Sequence, residues 1–317
     1  MMGLLKNCKK FVLDMLFKRD YLRSSEEPSD TIWKLPCDKL FRLDIPTYDG
    51  SGQAVHPSLL RRPDSPWFML AFTPYTDTHD DVENPSVLIS DTGLDFYEEK
   101  KGINPLVGKP EFDHNDDPDL FFRDGKYCIL YLETMRPKVQ TLYVLESEDR
   151  IYWKKQEVCH WDLESTRDFF MLSPKYMEFE GKEFIFYVNR DAKGGYAIEC
   201  SGLGFTETRK VLVPGLKEYP WHIDIIPSGE AFYMLITTAS TLDNNARYSL
   251  RIAKSGNLFD WKLAEDFCVE DCYRSSGFVE NGILFAYLSK IFLPTYHRKK
   301  WKIMLLKKRL DMLRWGN

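Results

Sequence analysis

Apolar residues in this sequence occur in short runs separated by turn signals, a pattern that is typical of β-hairpins. The clearest example extends from His114 to Glu133, where two apolar and aromatic runs flank the dipeptide Asp124-Gly125. An Asp-Gly pair in this position predicts a two-residue turn. Carboxylates precede the first predicted strand and Glu133 follows the second. The hairpin is therefore expected to bring them together at the end opposite its turn.

The same hairpin unit occurs five times along the chain. Each copy continues into a third strand-like run, and most continue into a fourth. Successive copies are separated by 61, 56, 49 and 53 residues, measured between the equivalent positions Pro57, Pro118, Pro174, Ile223 and Ser276. Four antiparallel strands repeated at this period are typical of propeller blades. The sequence therefore predicts an all-β, five-bladed β-propeller, with a large β-sandwich as the alternative.

The propeller is predicted over residues 32–317, with blades that start near residues 56, 117, 173, 222 and 275. Residues 1–31 are interpreted as an N-terminal amphipathic helix and a linker, because apolar residues at positions 4, 5, 11, 12 and 15–17 fit one helical face. Lysines interrupt the apolar pattern, so it is not a secretory signal. The basic helix either packs on the propeller or lies on a membrane surface. We expect a cytoplasmic protein, with peripheral membrane contact as the alternative.

Composition narrows the classes of function. The net charge of -5 makes nucleic acid an unexpected partner. Aromatic residues make up 15% of the chain, a content that suits both sheet cores and surfaces that bind carbohydrate. The seven cysteines are an odd number without a C-x-x-C pair, which favours free thiols over a disulfide framework.

The two faces of the predicted propeller differ in polarity. In each blade the start of the first strand, the end of the second and the start of the third share one face, and the turns between the first two strands share the other. Those turns are short. Polar and charged residues collect instead on the first face, in segments 83–84, 113–119, 189–191, 221–224 and 273–275. Because loops on a rigid scaffold commonly carry function, we expect the binding site at this end of the central channel.

Short motifs at the starts of the predicted strands resemble those of five-bladed glycoside hydrolases, namely the arabinanases and xylosidases of family 43 and the fructosidases of family 32. The motifs are His56-Pro57-Ser58, Glu83-Asn84-Pro85-Ser86, Asp117-Pro118-Asp119, Leu172-Ser173-Pro174, Trp221-His222-Ile223-Asp224 and Tyr273-Arg274-Ser275. The resemblance covers about residues 50–308. It implies a channel that receives three carboxylates from the first three blades, which act as a base, an orienting Asp and a general acid.

The sequence departs from this family pattern at two of the three positions. His56 stands in the place of the first-blade Asp, and Leu172 stands in that of the third-blade Glu. Asp117 matches the orienting Asp of the second blade. The acid and the base of the family are therefore not carried over by position, and only Asp117 transfers directly.

Glycoside hydrolysis uses two carboxyl groups, and clustered carboxyls raise one another's pKa, so that one of them can act as an acid near neutral pH. We predict Asp117, Glu83 and Asp224 as the catalytic residues, with Glu133 ranked next and Asp116 as a further carboxylate on the same face. The predicted substrate-binding residues are His56, Asn84, Asp119, Glu133, Asn189, Arg190, Trp221, His222, Tyr273 and Arg274.

Several of these residues have structural alternatives. Glu83 can bridge its own loop, Asp119 can hold the backbone of a neighbouring blade, and Trp221 can pack between blades. No cofactor and no metal ligands are assigned. The alternative is a divalent cation in the channel, held by His56, Asp117, His222 and Asp224.

The sequence predicts an enzyme that cleaves a glycosidic bond of an oligo- or polysaccharide. One alternative is a propeller that binds glycans, or assists their assembly, without hydrolysis. Another is a glycoside phosphorylase in which Arg190, Arg247 and Arg274 bind phosphate.

Overall fold

The computed structural model describes residues 21–23, 31–110, 112–136, 138–166, 169–191, 195–205, 207–242, 246–295 and 298–316. Their strands form five sheets, and each sheet is one blade of mainly antiparallel strands. The first strand of each blade contacts the first strands of the two adjacent blades, so the five blades form a closed ring. The prediction of an all-β, five-bladed β-propeller is confirmed.

Two short strands, β1 (Tyr21–Arg23) and β2 (Leu40–Arg42), precede the first blade. Blade I contains β3 (Ala54–Arg61), β4 (Phe68–Pro74) and β5 (Ser86–Ser90). Blade II contains β6 (His114–Arg123), β7 (Lys126–Met135), β8 (Val139–Ser147) and β9 (Lys154–Asp162). Blade III contains β10 (Met171–Phe179), β11 (Lys182–Arg190), β12 (Tyr196–Gly202) and β13 (Thr208–Lys210). Blade IV contains β14 (Tyr219–Ser228), β15 (Ala231–Ala239), β16 (Tyr248–Ser255), β17 (Trp261–Leu263) and β18 (Val269–Glu270). Blade V contains β19 (Cys272–Glu280), β20 (Ile283–Thr295) and β21 (Arg298–Arg309). Single 3-10 turns occur at Ile32–Lys34, Thr76–Thr78, Asp80–Val82 and Leu310–Met312.

Blade V is completed by the N-terminal part of the chain. Strand β2 pairs antiparallel with β21, with Leu40 opposite Leu306 and Arg42 opposite Met304, and β1 pairs parallel with β2. The pairing covers the outer edge of β21 and joins the N-terminal part of the chain to the last blade. Most of the N-terminal helix and linker predicted over residues 1–31 lies outside the described residues, but residues 21–23 form the strand β1 and are not helical. Within the described part of the chain, no helix is long and apolar enough to cross a membrane.

The hydrophobic core lies between the blades. In β4, Met69 and Ala71 belong to a cluster shared with blade II, whereas Leu70 and Phe72 belong to a cluster shared with blade V. The same alternation produces one cluster at each of the five junctions between described blades. Because every sheet is covered on both faces, its central strands are continuous apolar runs.

Side chains of the inner strands link each blade to the next through backbone N–H groups. Each link places a Ser or Asp oxygen on one inner strand within hydrogen-bond distance of an amide on the following one. The five acceptor–donor pairs are Ser58 with Leu120, Asp119 with Tyr176, Ser173 with Ile223, Asp224 with Gly277 and Ser276 with Leu59, at 2.8, 2.8, 3.1, 3.3 and 2.8 Å. The links run through all five junctions and hold the inner strands around one channel.

Gly277 provides a test of this close approach. A Cβ atom built at Gly277 would overlap the carbonyl oxygen of Phe285 on the paired strand, so Gly277→Ala is expected to cost about 1–3 kcal/mol of unfolding free energy. Urea denaturation measures the change. Gly256→Ala is the control, because nothing lies within 4 Å of the added Cβ there. Equal stability of the two variants would contradict the close approach.

A β-bulge lies near the start of every inner strand. The pairing register shifts between Val55 and Ser58 in β3 and at corresponding points in β6, β10, β14 and β19. His56, Asp117 and Ser173 occupy three of these bulges with φ values of 51°, 52° and 55°. Positive φ is uncommon for such residues, and bulges redirect side chains. The bulges therefore interrupt the regular alternation where the strands enter the channel.

Candidate functional site

A cavity of about 550 Å³ opens on the face where the inner strands begin. All five blades contribute to it, as expected for the polar face predicted from the sequence. One side is apolar and is formed mainly by Leu163, Phe169, Phe170 and Leu172, and another side carries carboxylates and imidazoles. The lining residues are His56, Tyr75, Asp80, Glu83, His114, Asp116, Asp117, Arg136, Leu163, Thr166, Phe169, Phe170, Leu172, Arg190, Asp191, Trp221, His222 and Tyr273.

Asp117 lies at the centre of the polar side and is almost completely buried. Its Oδ2 accepts a hydrogen bond of 2.7 Å from the Ser173 amide, and its Oδ1 accepts one from Arg274 Nη1. The same Oδ1 lies 3.6 Å from His56 Nε2 and 3.4 Å from His222 Nδ1. Burial opposes ionisation, but the nearby His222 ring, the Arg274 guanidinium and the His56 ring lower the pKa of Asp117 well below its ordinary value. Asp117 is therefore an ionised carboxylate, and the imidazoles of His56 and His222 both lie close to its Oδ1.

The ring of His56 is held in place through Nδ1, the nitrogen that points away from Asp117. Its Nδ1 lies 3.0 Å from Thr73 Oγ1 and 3.0 Å from Glu83 Oε2, and the Thr73 hydroxyl donates to the same Glu83 oxygen at 3.0 Å. A proton on Nδ1 satisfies these acceptors and leaves the lone pair of Nε2 directed towards Asp117. Nε2 is buried and accepts no hydrogen bond from a described residue.

His222 is also buried, and neither of its ring nitrogens has a hydrogen-bond partner among the described residues. Burial holds the pKa of His222 well below its ordinary value, so the imidazole is neutral at physiological pH. An unsatisfied buried nitrogen is costly and requires an explanation. His56, Asp117 and His222 together offer three ligand atoms that lie within 4.8 Å of one another.

Asp116 points into the same cavity and belongs to a chain of ion pairs. Its Oδ2 lies 2.8 Å from His114 Nε2, whose ring also contacts Asp113, and Arg136 binds Asp113 and Asp80 at the rim. Burial raises the pKa of Asp116. Burial disfavours a charged His114, but the neighbouring carboxylates raise its pKa to about 10, so the pair retains a proton near neutral pH.

Two predicted carboxylates are engaged elsewhere in the channel. Lys175 Nζ lies 2.9 Å from Asp119 Oδ1 and 2.8 Å from Asp224 Oδ1, and all three side chains are largely buried. Neither Asp119 nor Asp224 lines the cavity. The structural alternative for Asp119, the holding of a neighbouring blade's backbone, matches its hydrogen bond to Tyr176. We therefore assign Asp119 and Asp224 to the links between blades.

Other predicted residues lie around the cavity without lining it. Glu133 pairs with Lys155 at 3.0 Å, Asn84 donates to the carbonyl of Val107, and Asn189 Oδ1 accepts from the Phe170 amide. Arg274 is buried behind Asp117 and bonds both its carboxylate and the carbonyl of Pro118.

The structure does bring Glu83, His56, Asp117, Arg190, Trp221, His222 and Tyr273 into one cavity. The apolar side of the cavity was not predicted from the sequence. Phe169, Phe170 and Leu172 directly precede the bulge of β10, at the position where the resemblance implied a carboxylate. The presence of Leu172 in place of the third-blade Glu was the signal in the sequence that could have predicted an apolar wall.

Comparisons with known proteins agree with this geometry at the level of fold. No family model matches the sequence, and no curated protein matches it. A crystal structure of an N-acetylgalactosamine deacetylase from F. plautii in complex with blood group B trisaccharide has a TM-score of 0.71 and 16% identity, covering 84% of this chain and 94% of that one. A thermostable family-43 glycoside hydrolase has a TM-score of 0.58 and 13% identity, covering 84% and 93%. The chain shares the five-bladed fold of these enzymes.

A third solved structure, the GH43_1 enzyme from Xanthomonas citri complexed with xylose, has a TM-score of 0.54 and 11% identity over 79% of this chain and 86% of that one. The resemblance to propeller glycoside hydrolases that the sequence motifs predicted is therefore confirmed. At these identities the likeness describes the fold, and the chemistry has to be argued from the residues of the cavity.

Proposed function

We propose that this protein is a metal-dependent hydrolase that removes an acyl group from a carbohydrate. The observation that carries the proposal is the buried set of His56, Asp117 and His222, in which Nε2 of His56 and both ring nitrogens of His222 lack hydrogen-bond partners among the described residues. Two imidazoles and one carboxylate are a common ligand set of catalytic zinc and iron sites. A divalent cation in the channel was one alternative predicted from the sequence. The ligand set proposed here differs from that alternative in leaving out Asp224.

The surroundings of these three side chains fit a metal site. Glu83 and Thr73 fix the tautomer of His56, which is the role of a carboxylate behind a metal-binding histidine. Asp117 keeps the Ser173 amide and Arg274 as partners that orient its carboxylate. A second acidic group, formed by Asp80, Asp113 and His114, already binds Arg136 and is assigned no ion.

When bound, a divalent cation supplies Lewis-acid chemistry, by polarising a carbonyl and making water nucleophilic near neutral pH. We assign Glu83 to take the proton of the attacking water, because it lines the cavity, its Oε2 is bonded to His56 and Thr73, and its Oε1 accepts no hydrogen bond from a described residue. The water oxygen bonds to the acyl carbon, and the C–N or C–O bond of the acyl group breaks. The proton held by Glu83 then passes to the leaving atom, giving a carboxylic acid and a free amine or hydroxyl.

The choice of an acyl bond rests on the shape and chemistry of the cavity. Its apolar side, formed by Leu163, Phe169, Phe170 and Leu172, can accept the hydrocarbon part of an acyl group, and Trp221 and Tyr273 offer aromatic faces to a sugar ring. The N-acetylgalactosamine deacetylase of the same fold supports this choice.

Glycosidic hydrolysis, the function predicted from the sequence, is the second candidate. It is favoured by the presence of Glu83, Asp116 and Asp117 in one cavity and by the family-43 structures of the same fold. Inverting and retaining glycosidases need only such a pair of carboxyls and no metal. The two candidate functions therefore differ in the bond that is broken and in whether a chelator inhibits the activity.

Metal binding tests the proposal directly. Calorimetric titration of chelator-treated protein with Zn²⁺, Mn²⁺ and Co²⁺ is expected to give one tight ion per chain. His222→Ala should weaken it by more than about 100-fold, since loss of an outer partner alone costs roughly 10–100-fold. His160→Ala is the control, because His160 is exposed and pairs with Glu157. Binding that is absent in the wild-type protein, or equal in both variants, would remove the metal from the proposal.

The bond that is broken is identified by products. Acetate release from N-acetylated and O-acetylated sugars, and reducing-end release from oligosaccharides, are measured with and without the chelator. We expect chelator-sensitive acetate release. Chelator-insensitive cleavage of glycosidic bonds, without acetate, would establish the second candidate instead.

A further inference from the structure

Two arginines line the cavity, and they differ in how their charge is balanced. Arg136 contacts Asp80 at 2.9 Å and Asp113 at 2.7 Å, so two carboxylates already neutralise it. Arg190 forms no ion pair with a described residue, although its side chain reaches the cavity. The neighbouring Asp191 accepts a hydrogen bond from the Gly195 amide. Arg190 is therefore a cation whose guanidinium is available to a ligand.

The position of Arg190 is set by the blade and by aromatic contacts. It is the last residue of β11, where it pairs with Tyr196, and its amide donates to the carbonyl of Phe170 at 2.8 Å. Its guanidinium lies over the Tyr196 ring at 5.7 Å, and that ring lies 5.6 Å from Trp221. Phe170 and Trp221 both line the cavity. The guanidinium is thus held beside the apolar and aromatic walls, on the side of blades III and IV.

We propose that the carbohydrate bound in this cavity carries an oxyanion, either a carboxylate, a sulfate or a phosphate, and that Arg190 binds it. The proposal rests on the proposed function and specifies its class of substrate. The remaining side chains of the polar wall are mainly carboxylates, which repel an anion. Arg190 lies beside the apolar and aromatic walls, on the side of blades III and IV, and so determines which part of the sugar the negative group must occupy.

Arginine is well suited to this task. Its planar guanidinium donates two parallel hydrogen bonds to an oxyanion, and such charge-assisted pairs are stronger than neutral hydrogen bonds. The ring of Tyr196 limits the conformations that the side chain has to lose on binding. An oxyanion at Arg190 would leave the acyl group of the same sugar free to reach His56, Asp117 and His222.

Matched sugars test the proposal. Calorimetry or ligand-observed NMR compares N-acetylglucosamine with N-acetylmuramic acid, N-acetylglucosamine 6-sulfate and N-acetylglucosamine 6-phosphate, using the full chain with and without Zn²⁺. We expect at least one anionic sugar to bind about tenfold or more tightly than the neutral one. The three anionic probes distinguish a carboxylate from a sulfate or a phosphate.

Three variants assign the preference to the side chain. Arg190→Gln should abolish the preference, and Arg190→Lys should retain part of it. Arg62→Gln is the control, because Arg62 also lies over a ring, that of Phe122, but on a hairpin of the opposite face. Increasing salt should weaken only the anionic probes.

The outcomes are distinct from those of the proposed function. A wild-type protein that binds no anionic probe more tightly than the neutral sugar overturns the assignment of Arg190, even where Zn²⁺ binds. Equal weakening of neutral and anionic sugars by Arg190→Gln also overturns it. Loss of Zn²⁺ binding with a retained anionic preference contradicts the metal site and leaves the assignment of Arg190 supported.

Discussion

Glu83→Gln is expected to lower the rate of acyl hydrolysis by about 10²–10⁴-fold, the range typical of a lost general base. The amide oxygen of glutamine still accepts hydrogen bonds from His56 and Thr73, so the ring orientation that Glu83 fixes is retained. What is lost is the ability to accept a proton from water. Steady-state rates of acetate release, together with calorimetric Zn²⁺ titration of the same preparation, measure the two effects separately.

The control for this substitution is Glu133→Gln. Glu133 pairs with Lys155 and does not line the cavity, so its neutralisation should change the rate by less than about twofold. A Glu83→Gln variant that binds Zn²⁺ normally and retains full activity would exclude Glu83 as the base. A variant that loses Zn²⁺ together with activity would instead assign Glu83 to the support of His56.

Lys175→Met is expected to lower the free energy of unfolding by about 3–5 kcal/mol, because it leaves the carboxylates of Asp119 and Asp224 buried without their cation. Burial opposes the charge of Lys175, but the two carboxylates raise its pKa above the ordinary value, so the ammonium persists at neutral pH. Urea denaturation monitored by tryptophan fluorescence measures the loss.

Two further variants isolate the cause. Lys155→Met removes a more exposed ammonium from Glu133 and should cost no more than about 1 kcal/mol. Combining Lys175→Met with Asp119→Asn and Asp224→Asn removes every charge of the group, while the amide oxygens still accept from the Tyr176 and Gly277 amides. This triple variant should recover much of the lost stability. If Lys175→Met proves no more harmful than Lys155→Met, the three side chains do not act as a structural group.

The blades and the polar face could be predicted from the sequence because both depend on local signals. Turn dipeptides such as Asp124-Gly125 fix where hairpins reverse, and the regular spacing of the units fixes their number. The strand β2 could not be predicted in the same way. Leu40–Arg42 is too short to show a period, and its partner in β21 lies at the other end of the chain.

The candidate site was less predictable than the fold, because the β-bulges change which side chains of an inner strand point into the channel together. Strict alternation along β6 would give Asp117 and Asp119 the same direction, but the register shift between Asp116 and Asp119 breaks that alternation. Asp117 therefore contacts His56 and His222, whereas Asp119 contacts Lys175. Bulges of this kind depend on pairing between strands, and the motifs alone contain no signal that identifies them.

The pairing of β2 with β21 also affects the order in which the protein can fold. Leu40–Arg42 is synthesised before every blade, and its partner Arg298–Arg309 is synthesised after most of the chain has left the ribosome. Contacts between such distant segments form late and slow the folding reaction. Until β21 is complete, a nascent chain has an open last blade whose unpaired edge can join that of another chain. The pairing of the two ends of the chain thus exposes an unprotected edge to aggregation while the protein is being synthesised.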